Sequence, residues 1–162
     1  MGQKVSPTGL RIGINKEWES NWYADKSRVP ALIKEDHDIR KFLNKFYKRA
    51  EVAQIQIERL KGKAKDRVKI TLHTAKPGMV IGQNAENKNK AVSTLEYMTK
   101  KEIILNVVEV RRPEMNAQLV ADSIARQLEA RAPFRRVQKI AIQRALRAGA
   151  KGVKTLVSGR LG

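Results

Sequence analysis

The chain has 162 residues, 41% of them hydrophobic, enough for a buried core without covalent staples. It contains no cysteine, which excludes disulfides, thiolate metal sites and thiol nucleophiles. Lys and Arg number 34 against 16 Asp and Glu, a net charge of +18 that points first to a nucleic-acid partner. The charge is uneven. Residues 111–162 carry 12 basic against 3 acidic side chains, half of the net charge, and 9 of those cations are Arg. A guanidinium matches phosphate oxygens bidentately, whereas an ammonium acts as a point charge. His37 and His73 lack ligand spacing, so both are expected to be structural or surface residues, with no metal and no cofactor. No apolar run reaches membrane-spanning length and no secretory leader follows Met1, so an intracellular, soluble chain is expected.

Residues 1–20 hold Gly2, Pro7, Gly9 and Gly13 with little periodicity and read as a basic arm, with Lys4 and Arg11 as phosphate contacts. The first six residues match the N-myristoylation pattern, but no amphipathic or polybasic second signal follows, so no membrane anchor is expected. Trp18, Trp22 and Tyr23 are expected to anchor the arm against the next domain; stacking on bases is the alternative. Apolar residues at three- and four-residue steps then predict a helix over about Ile39 to Arg49, capped by Asp36 or Asp38. Val52 to Glu58 and Val68 to His73 alternate as two strands of a hairpin, joined by the basic turn Lys61 to Asp66.

Lys76-Pro77-Gly78-Met79-Val80-Ile81-Gly82-Gln83-Asn84-Ala85 links the second strand to a helix over Glu86 to Lys101. Pro77 and Gly78 mark a turn, and Gly82 lets a ligand's backbone approach the helix N-terminus, where the dipole favours an anion. Lys76, Gly82, Gln83 and Asn84 are therefore candidate RNA-binding residues; a plain strand-to-helix turn is the alternative. In the helix, Ala91, Leu95 and Met98 lie at i, i+4 and i+7, with Val92 beside them, as a core-facing row. Ile103 to Val110 is a third strand. The expected architecture is α+β, with helices on one face of a three-stranded sheet over residues 21–110.

Arg111-Arg112-Pro113 is the expected domain boundary. Beyond it come a helix over Asn116 to Ala130, another over Phe134 to Ala148, and a short strand over Val153 to Val157. Two helices and one strand do not complete a sheet, so residues 111–162 are expected to form a partial α/β domain. Either a partner supplies the missing strands or the C-terminus is truncated.

On the second of these helices Arg135, Arg136, Lys139, Gln143 and Arg147 fall within an arc of about 120°. Val137, Ala141, Ala145 and Ala148 lie opposite, although Ile140 and Leu146 intrude on the basic side. Arg131 precedes the helix, and no acidic residue follows Ala130. A solvated face would carry pairs of opposite sign, so this pattern marks a nucleic-acid track. Arg147, Lys151, Lys154 and Arg160 extend the charge. No nucleophile elbow or P-loop is present, and the carboxylates are scattered among cations, so no enzymatic activity is expected.

The ordered blocks Met1–Val5 with Gly9-Leu10-Arg11, Ile57-Glu58-Arg59, Thr71–Gly78, Glu109–Glu114, Leu119–Ile124, Phe134-Arg135-Arg136, Gly149–Gly152 and Val157–Gly162 span essentially the whole chain. On these residues the chain resembles the bacterial-type ribosomal protein S3 family of the small subunit. The resemblance implies a type II KH fold for the first domain and an α/β fold that runs beyond residue 162 for the second. It implies a cytoplasmic structural component of the small ribosomal subunit, bound to 16S-type rRNA in the head, beside proteins of the S10 and S14 families. It further implies that Arg131, Arg135, Arg136 and Lys139 grip mRNA where it enters. The family's KH loop reads Gly-x-x-Gly, whereas here Ala85 replaces the second glycine, Gln83 and Asn84 are uncharged, and Lys88 stands at an apolar position. The main affinity is therefore expected from the arm and the Arg-rich helix. A free-standing KH regulator of single-stranded RNA is the alternative, and needs an intact loop.

Overall fold

The computed structural model describes residues 3–62 and 66–160. Gly2, with its myristoylation match, and the middle of the Lys61 to Asp66 turn lie outside the described residues. In chain order the elements are β1 (Ser20–Asn21), α1 (Val29–Phe46), β2 (Val52–Leu60), β3 (Arg67–Thr74), α2 (Pro77–Ile81), α3 (Glu86–Thr99), β4 (Glu102–Glu109), α4 (Ala117–Glu129) and α5 (Phe134–Arg147).

Period-two alternation in β2, β3 and β4 puts one apolar row on one sheet face. β2 and β3 are antiparallel with Ile57 opposite Ile70, and β4 runs parallel to β3 with Leu105 opposite Ile70. Ile55, Ile57, Val68, Ile70, Leu72, Ile103 and Leu105 are buried against Ile39 and Leu43 of α1 and Ala91 and Leu95 of α3. Each fully buried Ile or Leu contributes roughly 1.5–3 kcal/mol. The helices thus cover one face, as expected. The sheet has four strands rather than three, because Ser20 and Asn21 pair in parallel with Ile57 and Glu58.

Helix α1 begins ten residues before its expected start. Pro30 sits in the first turn, where its fixed φ suits a helix and its missing N–H costs nothing. Asp36 and Asp38 are consequently mid-helix and cap nothing. Buried Asp36 instead accepts hydrogen bonds from Ser20 Oγ (2.9 Å), Trp22 Nε1 (2.8 Å) and Arg59. The Arg59 guanidinium lies 5.6 Å from the Trp22 ring centroid and also pairs with Glu35. Of the three aromatic residues, Trp22 is the one that anchors the arm, since Trp18 and Tyr23 stand 62% and 93% exposed. In α3 the expected core row ends at Leu95, and Met98 points to solvent.

After β4 the chain turns at Pro113–Met115. Asn116 caps α4, its Oδ1 accepting from the N–H groups of Gln118 (3.0 Å) and Leu119 (3.2 Å). Helices α4 and α5 pack on each other, with Leu119 and Ile124 of the first and Val137 and Ala145 of the second buried. The strand expected over Val153 to Val157 does not form. Val153, Thr155 and Val157 are half-buried and alternate with exposed Lys154, Leu156 and Ser158, but no ladder partner lies among the described residues. Alternation supplies a strand's faces, and only pairing supplies its hydrogen bonds.

Candidate nucleic-acid interface

The apolar side of α5 fixes where its cations point. With Val137 and Ala145 buried and Ala141 and Ala148 half-buried, Arg135, Arg136, Lys139, Gln143 and Arg147 are all exposed. None of Arg131, Arg135, Arg136, Lys139 and Arg147 forms an ion pair with a carboxylate among the described residues. The Arg135 guanidinium lies 5.7 Å from the Phe134 ring centroid, a cation–π contact that holds it at the start of the helix. Arg144, absent from the sequence-based arc, also reaches solvent, at the rim of a cavity between α4 and α5. An arc of unneutralised cations on a rigid helix is complementary to a phosphate backbone.

The Lys76–Ala85 stretch is more structured than a plain turn. Pro77–Ile81 forms the one-turn helix α2, with Val80 fully buried while Met79 and Ile81 stay exposed. Gly82 has φ +73° and ψ −179°, a region open only to glycine, and a Cβ there would lie 2.8 Å from Asn87 Nδ2. Asn84 and Ala85 follow at φ +50° and +61°. The second-glycine position is therefore left-handed, where alanine is strained. Gln83 and Asn84 project into solvent.

Two features weaken this stretch as an anion clamp. The Lys76 ammonium donates to Glu51 Oε1 at 2.7 Å, so its charge is already partnered. The first turn of α3 carries its own anion, Glu86, paired with Lys90; that hydrogen bond holds the Glu86 carboxyl below its usual range. Glu51 Oε1 also accepts from Arg126 Nη2 of α4 at 2.9 Å. Burial alone would raise the Glu51 carboxyl, but the hydrogen bonds from Lys76 and Arg126 outweigh it and leave the group below its usual range. Glu51 thereby ties the loop to the C-terminal helices, a link that residue spacing did not signal.

The remaining candidates stay dispersed. Lys4 and Arg11 are exposed on the arm, where Arg11 Nη1 donates to the Pro7 carbonyl at 2.7 Å. Lys151, Lys154 and Arg160 are exposed on the extended tail. No hydrogen bond or ion pair among the described residues joins these five to the loop or to α5. His37 is exposed, and His73 Nε2 lies 3.2 Å from Gln56 Oε1 across the strands. No helix among the described residues is long and apolar enough to cross a membrane.

The order helix, antiparallel hairpin, short helix, Gly-led turn, helix and parallel strand defines a KH-type fold. Residues 38–115 match the family model described as KH domain, and residues 124–162 match that described as ribosomal protein S3, C-terminal domain. The chain is 72% identical over 162 residues to the small ribosomal subunit protein uS3 of Alteracholeplasma palmae. It is 66% identical over 162 residues to that of Acholeplasma laidlawii strain PG-8A, and 55% identical over 162 residues to that of onion yellows phytoplasma. All of this chain is covered in each case, along with 65%, 63% and 64% of the respective relative. The chain belongs to the ribosomal protein S3 family.

Proposed function

We propose that the protein is a structural constituent of the small ribosomal subunit in the cytoplasm. It binds 16S-type rRNA in the subunit head and contacts mRNA where it enters. The acid-free, solvent-facing arc of α5 carries this reading, because cations on a rigid helix with no carboxylate partner among the described residues are complementary to an external polyanion. Arg131, Arg135, Arg136 and Lys139 grip mRNA. Lys4, Arg11, Arg147, Lys151, Lys154 and Arg160 neutralise rRNA phosphates. Lys76, Gly82, Gln83 and Asn84 form a secondary contact, since Glu51 holds Lys76 and Ala85 crowds the turn. Residues 1–20 act as the arm, 21–110 as the KH domain and 111–162 as the second domain, with proteins of the S10 and S14 families as neighbours.

The test is sedimentation of a cell lysate through density gradients of stepwise increasing salt. Co-migration with small subunits, retained as salt rises, is the expected result. A chain that stays at the top of the gradient at low salt would overturn the reading and favour a free-standing RNA binder.

A further inference from the structure

We infer that Phe46, at the C-terminal end of α1, is a stacking platform for an unpaired base of single-stranded RNA, beside the KH turn. This rests on the RNA-binding reading above and adds a contact that neither the loop nor α5 provides. Phe46 is 43% exposed, yet its ring is held firmly. It stacks on Phe42 with centroids 5.6 Å apart at 25°, and meets Tyr47 edge-on at 4.9 Å and 87°. Tyr47 is itself buried, its hydroxyl donating to the Asn87 carbonyl at 3.2 Å. The ring is therefore oriented before any ligand arrives, which limits the entropy lost on stacking.

Two hollows meet at this ring. One is an open groove of about 810 Å³ toward the turn and α3, lined with Phe46 by Gln83, Asn84, Asn89 and Thr94. Amide side chains carry donors and acceptors together, as a base edge requires. Glu86, also on its wall, is engaged by Lys90. The other hollow, of about 340 Å³, is lined by Lys45, Lys48 and Arg49. These three are exposed, and none pairs with a carboxylate among the described residues. An aromatic face, amides beside it and unneutralised cations behind it match the base, its edge and the flanking phosphates of one strand. Charge complementarity thus favours RNA as the occupant.

The experiment is fluorescence anisotropy with a single-stranded RNA of about ten nucleotides, a length in the usual site-size range. The chain is compared with Phe46→Leu, Phe46→Trp and the triple change Arg135→Ala, Arg136→Ala, Lys139→Ala. Leu keeps apolar bulk without a π face, and should weaken binding about 5- to 100-fold. Trp should restore binding, and neither change should alter the salt dependence. RNA should also quench the emission that Phe46→Trp adds over that of Trp18 and Trp22. Affinity unchanged in Phe46→Leu while the α5 triple variant loses it would sink the stacking role alone. Failure of the unaltered chain to bind RNA would overturn the RNA-binding reading and this inference together. Should Leu loosen α1, the Trp variant decides, because absence of quenching overturns the proposal.

Discussion

At the scale of single residues, the turn between α2 and α3 is governed by backbone handedness. Ala85 sits at φ +61°, so Ala85→Gly should raise stability by about 1 kcal/mol, read as a higher urea midpoint. The same exchange in reverse is costly three residues earlier. Gly82→Ala would place a Cβ against the Asn87 amide in a conformation alanine avoids, and should lower stability by about 2 kcal/mol. Asp36 is the other sensitive position. Asp36→Ala leaves the largely buried Arg59 with Glu35 as its remaining carboxylate among the described residues, and removes the acceptor of Trp22 and Ser20. A loss of about 3 kcal/mol is expected in urea unfolding, together with a shift in Trp22 emission. Asp36 is held by neighbours far along the chain, whereas the strained turn is crowded by Asn87 close by in sequence.

Between elements, Glu51 couples the loop to α4, and its titration makes that coupling depend on pH. Its carboxyl is held below the usual range in the folded state, so the folded protein binds that proton less readily than the unfolded chain. The stabilisation is fully present above the unfolded value of about 4.3 and is lost as pH falls through the folded one. Glu51→Gln should therefore be less stable than the parent at neutral pH, with the gap closing as the pH falls below the unfolded value and through the lowered folded one. Urea unfolding at neutral and at acid pH measures it. Tyr47 gives the opposite sign at the alkaline end, where α1 meets α3. Burial pushes its hydroxyl up to about 12, so stability is present below the ordinary value of 10.0 and lost as pH rises through about 12. A Tyr47→Phe variant should show a flatter stability curve over that alkaline interval.

Over the whole molecule, binding is expected to be electrostatic and concentrated on α5. Each phosphate contact on a single strand contributes about 0.7 to the slope of log affinity against log salt. Replacing Arg135, Arg136 and Lys139 together by Ala should therefore flatten that slope by about 2 in a salt titration of RNA binding. The fold should survive, because all three side chains are exposed and none supports an ion pair among the described residues. The substitutions remove like charges from one helix face, so any change in stability should be small.

The sequence by itself determined the α+β class, the hairpin, the helix that follows the turn and the basic arc of α5. Each of these rests on a local period or on composition, and a period of two or of 3.6 survives whatever packs against it. Tertiary structure alone decided the rest. The role of Asp36 depends on Arg59 and Trp22, 23 residues ahead and 14 residues behind in the chain. Glu51 joins Lys76 and Arg126 across 25 and 75 residues, a convergence that no spacing rule encodes. Whether Val153 to Val157 becomes a strand depended on a neighbour to pair with, and the exposure of Phe46 depended on which side of α1 the sheet covered. Long-range charge pairing, strand pairing and the choice of buried face are properties of proximity, and proximity is made only when the chain folds.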